Sequence, residues 1–362
     1  MRKQTALHLD PVVDVIDNSK MSDFKRCMRY GFFKHILGWK SPYPSIDLVF
    51  GASYHEGHEV LGIKGYKKEN LDEAMNAFLT LYREEFSPST DNDMQLAKGK
   101  SPQSAERAYR YYIEKYKNDA YEHLYCEIGI PVPIGDDRTF HIKIDKISRR
   151  RTDGKIIAID HKTSSRETQY WAEQWESKNQ FFGYIHGLLC LSDFDEVIGL
   201  LVDGTFLYKS SPPKFRRHLI RKSPMQMQSW LHNIQYWYDQ IKMHIRVALK
   251  ENSNQSVMVS FPQNDEGCVS YGKICPFFAI CWSTPNPLRY YRTPDDTPVE
   301  FIYDHWDPRT DPVSNRINPE TGEIIKVDKR KLRKRKKVLE PIVEDTELKT
   351  GLLFSIMKER KK

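Results

Sequence analysis

The residues Ile156-Ile157-Ala158-Ile159 run straight into Asp160, His161 and Lys162. A short apolar run bounded by turn residues predicts a buried strand. This one ends in two residue types that are seldom buried without a partner. Alternation along a strand places Asp160 and Lys162 on one face and His161 on the other. Just upstream, "RTFHIKIDKISRR" predicts a neighbouring strand, joined to the first by a turn around Asp153-Gly154. Pairing the two sets Asp145 beside Asp160, with Lys162 close to both. Taken alone, Asp160 and Lys162 read equally well as a structural ion pair. Converging carboxylates, however, repel unless a cation stands between them. Oxygen ligands with open positions suit Mg²⁺ or Mn²⁺, and a lysine beside them stabilises developing phosphoryl charge or orients a water.

The rest of the chain supplies the surroundings of that pair. Residues 22–36 read as a helix with Ser22 or Asp23 as its N-cap. "FGASYHEGHEVLGIKGY" reads as a second helix, and 69–84 and 103–118 as two more. "YEHLYCEIGIPVPI" precedes the two strands above as a third. A helix at 167–190, a strand at "EVIGLLVDGTFL", a short strand near 215–222 and a long amphipathic helix at 224–250 follow. Helices, an antiparallel meander, a helix and a further strand make an α/β (α+β) core, a mixed central sheet flanked by helices. After about residue 283 the chain turns Pro-, Asp- and Arg-rich and the periodicity fades. The expected organisation is N-terminal helices over 1–64, a helical insert over 65–120, a core over 121–250, a cysteine-rich segment over 251–285 and an extension with a basic tail over 286–362.

Composition narrows the class. Apolar residues are 39% and aromatics 12% of 362 residues, enough for a sizeable core. No run of 18 or more apolar residues spans a membrane. The N-terminus, broken by Asp, Pro and His, lacks the apolar segment of a signal peptide. A cytoplasmic protein with reduced thiols is expected, so the six cysteines are ligands or buried residues rather than disulfides. The net charge of +7 is concentrated between Lys326 and Lys337, where nine Lys or Arg stand against one Asp. There Lys329, Arg330, Lys331, Arg333, Lys334 and Arg335 suit nucleic-acid phosphates through counterion release. A solvated tail fits that run equally well. No Walker-type Gly-rich Lys motif is present, which places any helicase or ATPase partner on another chain.

"IKID", thirteen further residues and then "IDHKT" resemble the signature of the PD-(D/E)XK nuclease superfamily, in particular its RecB-like branch. "YHEGHEVL" resembles that branch's first motif, "QFFGY" its Gln-x-x-x-Tyr motif, and "SDFKRCMRYGFF" its N-terminal helix. The order and spacing fit across residues 20–285. The resemblance implies a restriction-endonuclease-like core with a helical N-terminal insert. It implies metal-assisted hydrolysis of phosphodiesters, with His55, Asp145, Asp160 and the carbonyl of His161 as ligands of Mg²⁺ or Mn²⁺. Lys162 would then be the catalytic lysine, with Gln180 and Tyr184 orienting it or the DNA strand. The pattern departs at Lys143, where the family usually has glycine; Lys143 would touch the scissile phosphate or hinder the site. Glu127 reads as an extra ligand or an ordinary strand carboxylate.

Cys268, Cys275 and Cys281 lie together in "GCVSYGKICPFFAIC", and Cys27 lies in the first helix. One early and three late cysteines resemble the iron–sulfur staple of some RecB-like nucleases, the AddB helicase–nuclease subunit among them. The resemblance implies a 4Fe–4S cluster, with a structural Zn²⁺ or four unlinked thiols as alternatives. The six-residue gap between Cys268 and Cys275 is longer than the two-residue gap of those proteins. Cys126 and Cys190 sit in apolar contexts and read as packing residues.

The expected function is a metal-dependent DNA nuclease, an exonuclease or recombination nuclease acting on single strands or duplex ends. A helicase or recombinase in trans would suit it, as would a bacterial recombination or phage setting. A non-catalytic nucleic-acid-binding or scaffold module, and a sequence-specific endonuclease of the same superfamily, are the alternatives. Tyr109, Tyr111, Tyr112 and Tyr116 could frame a strand channel, although Tyr109, Tyr112 and Tyr116 have the spacing of a core stripe.

Overall fold

The strand ending in Asp160 pairs as the sequence predicts. Three long strands occupy the middle of the chain: β1 (Tyr121–Gly135), β2 (Arg138–Arg150) and β3 (Ile156–Ser164). β2 and β3 run antiparallel with Lys146 opposite Ile159 and Arg149 opposite Ile156. Their turn uses Gly154 at φ +74°, a conformation that glycine adopts at little cost. β4 (Val197–Phe206) lies parallel to β3, and β5 (Lys214–Ile220) pairs antiparallel with β4. Two short strands near the end, β6 (Asn315–Ile317) and β7 (Ile324–Lys326), add to the other side. The order is β7-β6-β1-β2-β3-β4-β5, a mixed sheet. This computed structural model describes residues 6–135, 138–251, 254–270, 272–318 and 321–329. Contacts divide the chain into a sheet unit (Pro44–Val132, Ile142–Met227, Pro312–Lys362) and a cysteine unit (Met1–Tyr43, Pro133–His141, Gln228–Asp311).

In the sheet unit, Ile157, Ala158 and Ile159 are all buried, as an unbroken apolar strand requires when both faces are covered. The helices here are α1 (Ile46–Lys64), α2 (Leu71–Tyr82), α3 (Asp91–Lys98), α4 (Pro102–Tyr116) and α5 (Asn179–Leu191). Ser101 caps α4 and Pro102 opens it, a start signal written in the sequence. α1, α2 and α4 close around Phe50, Tyr54, Phe78, Tyr82, Tyr109 and Tyr112. Tyr109 and Tyr112 are fully buried, so the tyrosine stripe of α4 is core and does not frame a channel. Each such ring contributes roughly 1.5–3 kcal/mol by leaving water. Gly57 admits Tyr109 against α1, since a Cβ there would fall 2.2 Å from the phenol oxygen.

Two expectations change here. The helix predicted over 167–190 is confined to α5 and a single turn at Glu173–Glu176, with Lys178 extended between them. The irregular stretch seats Trp171 on the sheet, where Gly204 leaves room for the indole. The fading periodicity after residue 283 also hid β6 and β7, which are three residues each, too short for an alternation signal.

In the cysteine unit, the helix predicted over 22–36 starts earlier and breaks. It runs Asn18–Arg26, capped by Asp17 rather than Ser22 or Asp23, through the Lys20 N–H at 2.8 Å. Cys27 is extended (φ −164°, ψ 121°), and helix resumes at Met28–Gly31 and a π turn at Phe32–Ile36. The break releases the Arg29 N–H, which donates to Pro262 O at 3.1 Å. Ile16–Asp17 pairs in parallel with Phe140–His141. An aromatic core of Phe24, Phe32, Phe33, Trp39, Phe261 and Phe277 fills this unit. Most of the long helix Pro224–Lys250 belongs here. Among the described residues no helix is long and apolar enough to cross a membrane.

Candidate active site

The β2–β3 ladder ends at Lys146 and Ile159. One residue further, Asp145 turns its carboxylate to the backbone of β3 and accepts the His161 N–H at 2.8 Å. The same oxygen, Oδ2, lies 3.1 Å from Nδ1 of His55 on α1. Glu127 of β1 brings Oε1 to 3.9 Å from that nitrogen. His55, Glu127 and Asp145 thus offer one ligand atom each within 4.8 Å, the one such His/Cys/Asp/Glu group among the described residues. Asp160, fully buried, holds Lys162 Nζ at 2.7 Å. Gln180 Nε2 donates to Asp160 Oδ1 at 3.4 Å and to the Tyr184 hydroxyl at 2.6 Å. The i, i+4 spacing on α5 makes that last contact possible.

Charge follows from these distances. Burial opposes the charge on Asp145, but the charge and hydrogen bond of His55, with Lys162 and the His161 amide, outweigh it and hold the group low. Burial pushes Asp160 up; Lys162 offsets part of the rise and the charge of Asp145 adds to it. Burial works against the His55 cation too, and the Asp145 and Glu127 carboxylates overcome it. The two acids therefore differ: one stays charged beside a histidine, the other prefers a proton or a cation.

The structure brings together His55 with Asp145, and Asp160 with Lys162, Gln180 and Tyr184; the two sets meet at the backbone N–H of His161, the residue after Asp160, and Asp160 lies outside the group of three that could share one ion. The His161 imidazole faces elsewhere, stacked on His58 of α1 with ring centroids 4.0 Å apart. Both rings are buried and make no hydrogen bond among the described residues, and burial drives both well below the usual histidine range.

Glu127 is the residue that sequence reasoning undervalued. It is buried and has φ +49°, a left-handed conformation that costs a glutamate roughly 1–3 kcal/mol unless its surroundings hold it there. The available signal was an acid inside the otherwise apolar run "CEIGIPVPI". Lys143 sits on this glutamate, 2.9 Å from Oε2. Lys329 reaches Glu56 at 3.2 Å and Glu59, and comes within 3.9 Å of Glu127. The rest of the expected phosphate-binding segment, Arg330, Lys331, Arg333, Lys334 and Arg335, lies outside the described residues.

In the cysteine unit, Cys27, Cys268, Cys275 and Cys281 line one cavity of about 270 Å³. Within the long Cys268–Cys275 gap a hairpin sets Val269 opposite Ile274 and Ser270 opposite Lys273. The hairpin returns Cys275 to Cys268, whose carbonyl accepts the Cys275 N–H at 2.8 Å. Asn264 N–H points at Cys27 Sγ (3.3 Å) and the Gln263 amide at Cys281 Sγ (3.1 Å). No three of these sulfurs lie within 4.8 Å of one another. Cys126 is buried and Cys190 is half-buried.

Among curated proteins none matches. A solved structure from Eubacterium rectale, given as a candidate exonuclease, is similar over 74% of this chain and 93% of its own, with 15% identity and a TM-score of 0.44. A protein designated SSO0001 is similar over 53% of this chain and 74% of its own, with 12% identity and a TM-score of 0.23. The family model of the PD-(D/E)XK nuclease superfamily matches residues 18–282, a span that holds every member of the Asp145–Asp160–Lys162 constellation and all four pocket cysteines. The chain belongs to the PD-(D/E)XK nuclease superfamily.

Proposed function

We propose that this protein is a divalent-metal-dependent phosphodiesterase of the RecB-like branch that degrades DNA. The observation that carries the reading is the His55–Glu127–Asp145 group beside the Asp160–Lys162 pair. The residues fit a hard cation. Glu127 Oε2 and Asp160 Oδ2 are buried and accept no well-aligned hydrogen bond among the described residues, although each has a lysine ammonium within 2.9 Å. Each oxygen already faces a positive charge, the kind of partner that a metal ion would also be. His55, Glu127, Asp145 and Asp160 would hold Mg²⁺ or Mn²⁺, and the imidazole tilts the set toward Mn²⁺. When bound, the ion supplies Lewis-acid polarisation of a phosphoryl oxygen and a more acidic water.

The chain's own groups do the rest. Lys162 places a positive charge at the scissile phosphate and orients the attacking water. Asp160 holds Lys162, and Gln180 with Tyr184 holds Asp160. Asp145 is kept charged by His55 and is fixed in direction by the His161 amide. Exonucleolytic action on single strands or duplex ends, with a helicase or recombinase in trans, completes the reading. The decisive assay is digestion of end-labelled single- and double-stranded DNA with Mg²⁺ or Mn²⁺. Wild-type protein should cut and Lys162→Ala should not; full activity in Lys162→Ala would overturn the assignment.

A non-catalytic module has one observation in its favour: the ammonium groups of Lys143 and Lys329 already stand at Glu127. If neither ion supports any cleavage by wild-type protein, that reading replaces the first. For the cysteines the proposal is a 4Fe–4S cluster. The four cysteines share one cavity, and four thiolates hold either such a cluster or a single zinc ion. Anaerobically purified protein should then be brown; colourless protein with one equivalent of zinc would favour the alternative.

A further inference from the structure

We propose that the sheet edge at β5, two strands from Lys162, carries a subsite for an unpaired nucleotide of the substrate strand, three or more nucleotides from the bond that is cut. The proposal rests on the nuclease reading above. Lys162 is registered with Gly204 of β4, and Gly204 with Arg216 of β5. Partners across a sheet share a face. Lys162 and Arg216 therefore stand in one row, their backbones about 10 Å apart at two strand spacings. A stacked strand rises about 3.4 Å per nucleotide, so the row is about three nucleotides long.

Gly204 leaves the middle of that row open, and Trp171 fills it: a Cβ on Gly204 would lie 2.2 Å from Trp171 Cζ2. Trp171 is buried against Phe206, with ring centroids 5.2 Å apart. The Arg216 guanidinium lies 5.4 Å over the indole, and its side chain remains 42% exposed. A guanidinium resting on an aromatic face is presented in a preferred orientation. Beyond it the surface dips into a cavity of about 440 Å³, a volume that suits a nucleotide-sized ligand. Tyr111 and Phe215 line it, with Lys115, Lys214 and Arg216 against the single carboxylate Glu167. Tyr111 is 48% exposed while Tyr109 and Tyr112 on the same helix are fully buried. Its ring is therefore not needed by the core. Aromatic faces that take any base, beside cations that take phosphates, suit a single strand. A duplex keeps its base faces covered.

The test separates grip from cutting. In a Lys162→Ala background without divalent ion, binding of a labelled single strand of about twenty thymidines is followed by fluorescence anisotropy at several salt concentrations. Adding Lys214→Glu and Arg216→Glu should weaken binding tenfold or more and flatten the log–log salt slope by about 1.4, at roughly 0.7 per lost phosphate contact. Tyr111→Ala should weaken it by roughly tenfold, and Tyr111→Phe should restore it. A blunt duplex should lose less than threefold. Unchanged single-strand affinity in the double variant, at wild-type melting temperature, overturns the subsite, and so does a parent protein that binds no strand. Equal loss for strand and duplex overturns its preference for unpaired bases. The cleavage assay described above is a separate measurement, so loss of the subsite and loss of the nuclease reading are told apart.

Discussion

The acid site takes Asp145 and Asp160 from the two strands of a hairpin, whereas the cysteine pocket needs Cys27 and Cys268 from positions about 240 residues apart in the chain. The acids sit at the end of a ladder of backbone hydrogen bonds, with Asp160 continuing against β4 and Asp145 held by the His161 amide and His55. The cysteines sit at an extended break in a helix, at both ends of a two-pair hairpin and in a helix of six residues. A site on a ladder keeps its shape without its ion. A site on short pieces depends on whatever bridges them, since a link across a long loop removes much unfolded-state entropy.

The largest effect that sharpens the contrast is chemical. Lys162→Ala should lower metal-dependent cleavage by roughly 10²–10³-fold or more, with a melting temperature near that of wild type. A large thermal shift in this variant would mean that the acid site is also structural. The converse belongs to the pocket. Cys275→Ser should abolish any visible absorbance and lower the melting temperature by roughly 10 °C, the equivalent of a few kcal/mol of lost cross-link in a unit of this size. If the Asp145→Asn variant destabilises the protein as much as Cys275→Ser does, the distinction between a ladder-held and a bridge-held site fails.

Intermediate in size, Glu127→Gln should raise the Mn²⁺ concentration needed for half-maximal activity by roughly 10–100-fold, leaving the visible spectrum untouched. An unaltered metal requirement would remove Glu127 from the ligand set. The smallest effect concerns pH. Burial and the charge of Asp145 raise Asp160 from 3.8 to about 6, with Lys162 opposing them. A carboxyl raised in the folded state stabilises the fold fully below pH 3.8, and that contribution disappears as pH climbs through about 6. Metal-free protein should therefore melt a few degrees lower at pH 6.5 than at pH 4 by an amount that Asp160→Asn abolishes; identical profiles for the two proteins would rule out Asp160 as the titrating group.

Much of the acid site was readable along the chain because its parts are periodic. Strand alternation put Asp160 and Lys162 on one face, the turn at Gly154 set Asp145 against Asp160, and i, i+4 spacing joined Gln180 to Tyr184. Glu127 was not readable in the same way. Its φ of +49° breaks the alternation that would have said which way it points. The Cys27 break was hidden as well, since "SDFKRCMRYGFF" has helical periodicity and the Arg29 N–H that the break frees finds its partner at Pro262, far along the chain. Tyr109 and Tyr112 had the spacing of a core stripe, and α1 and α2 close over them.

Local order in the amino-acid sequence was sufficient for the hairpin, the helices that flank it and the pairing of acid with lysine, because repeats of 2 and about 3.6 residues decide which side chains share a face. Contacts between distant segments decided the remainder: Lys143 and Lys329 on Glu127, Trp171 over Gly204, and a hairpin that returns Cys275 to Cys268. Those contacts depend on how packed surfaces fill space, and no periodicity along a chain encodes that.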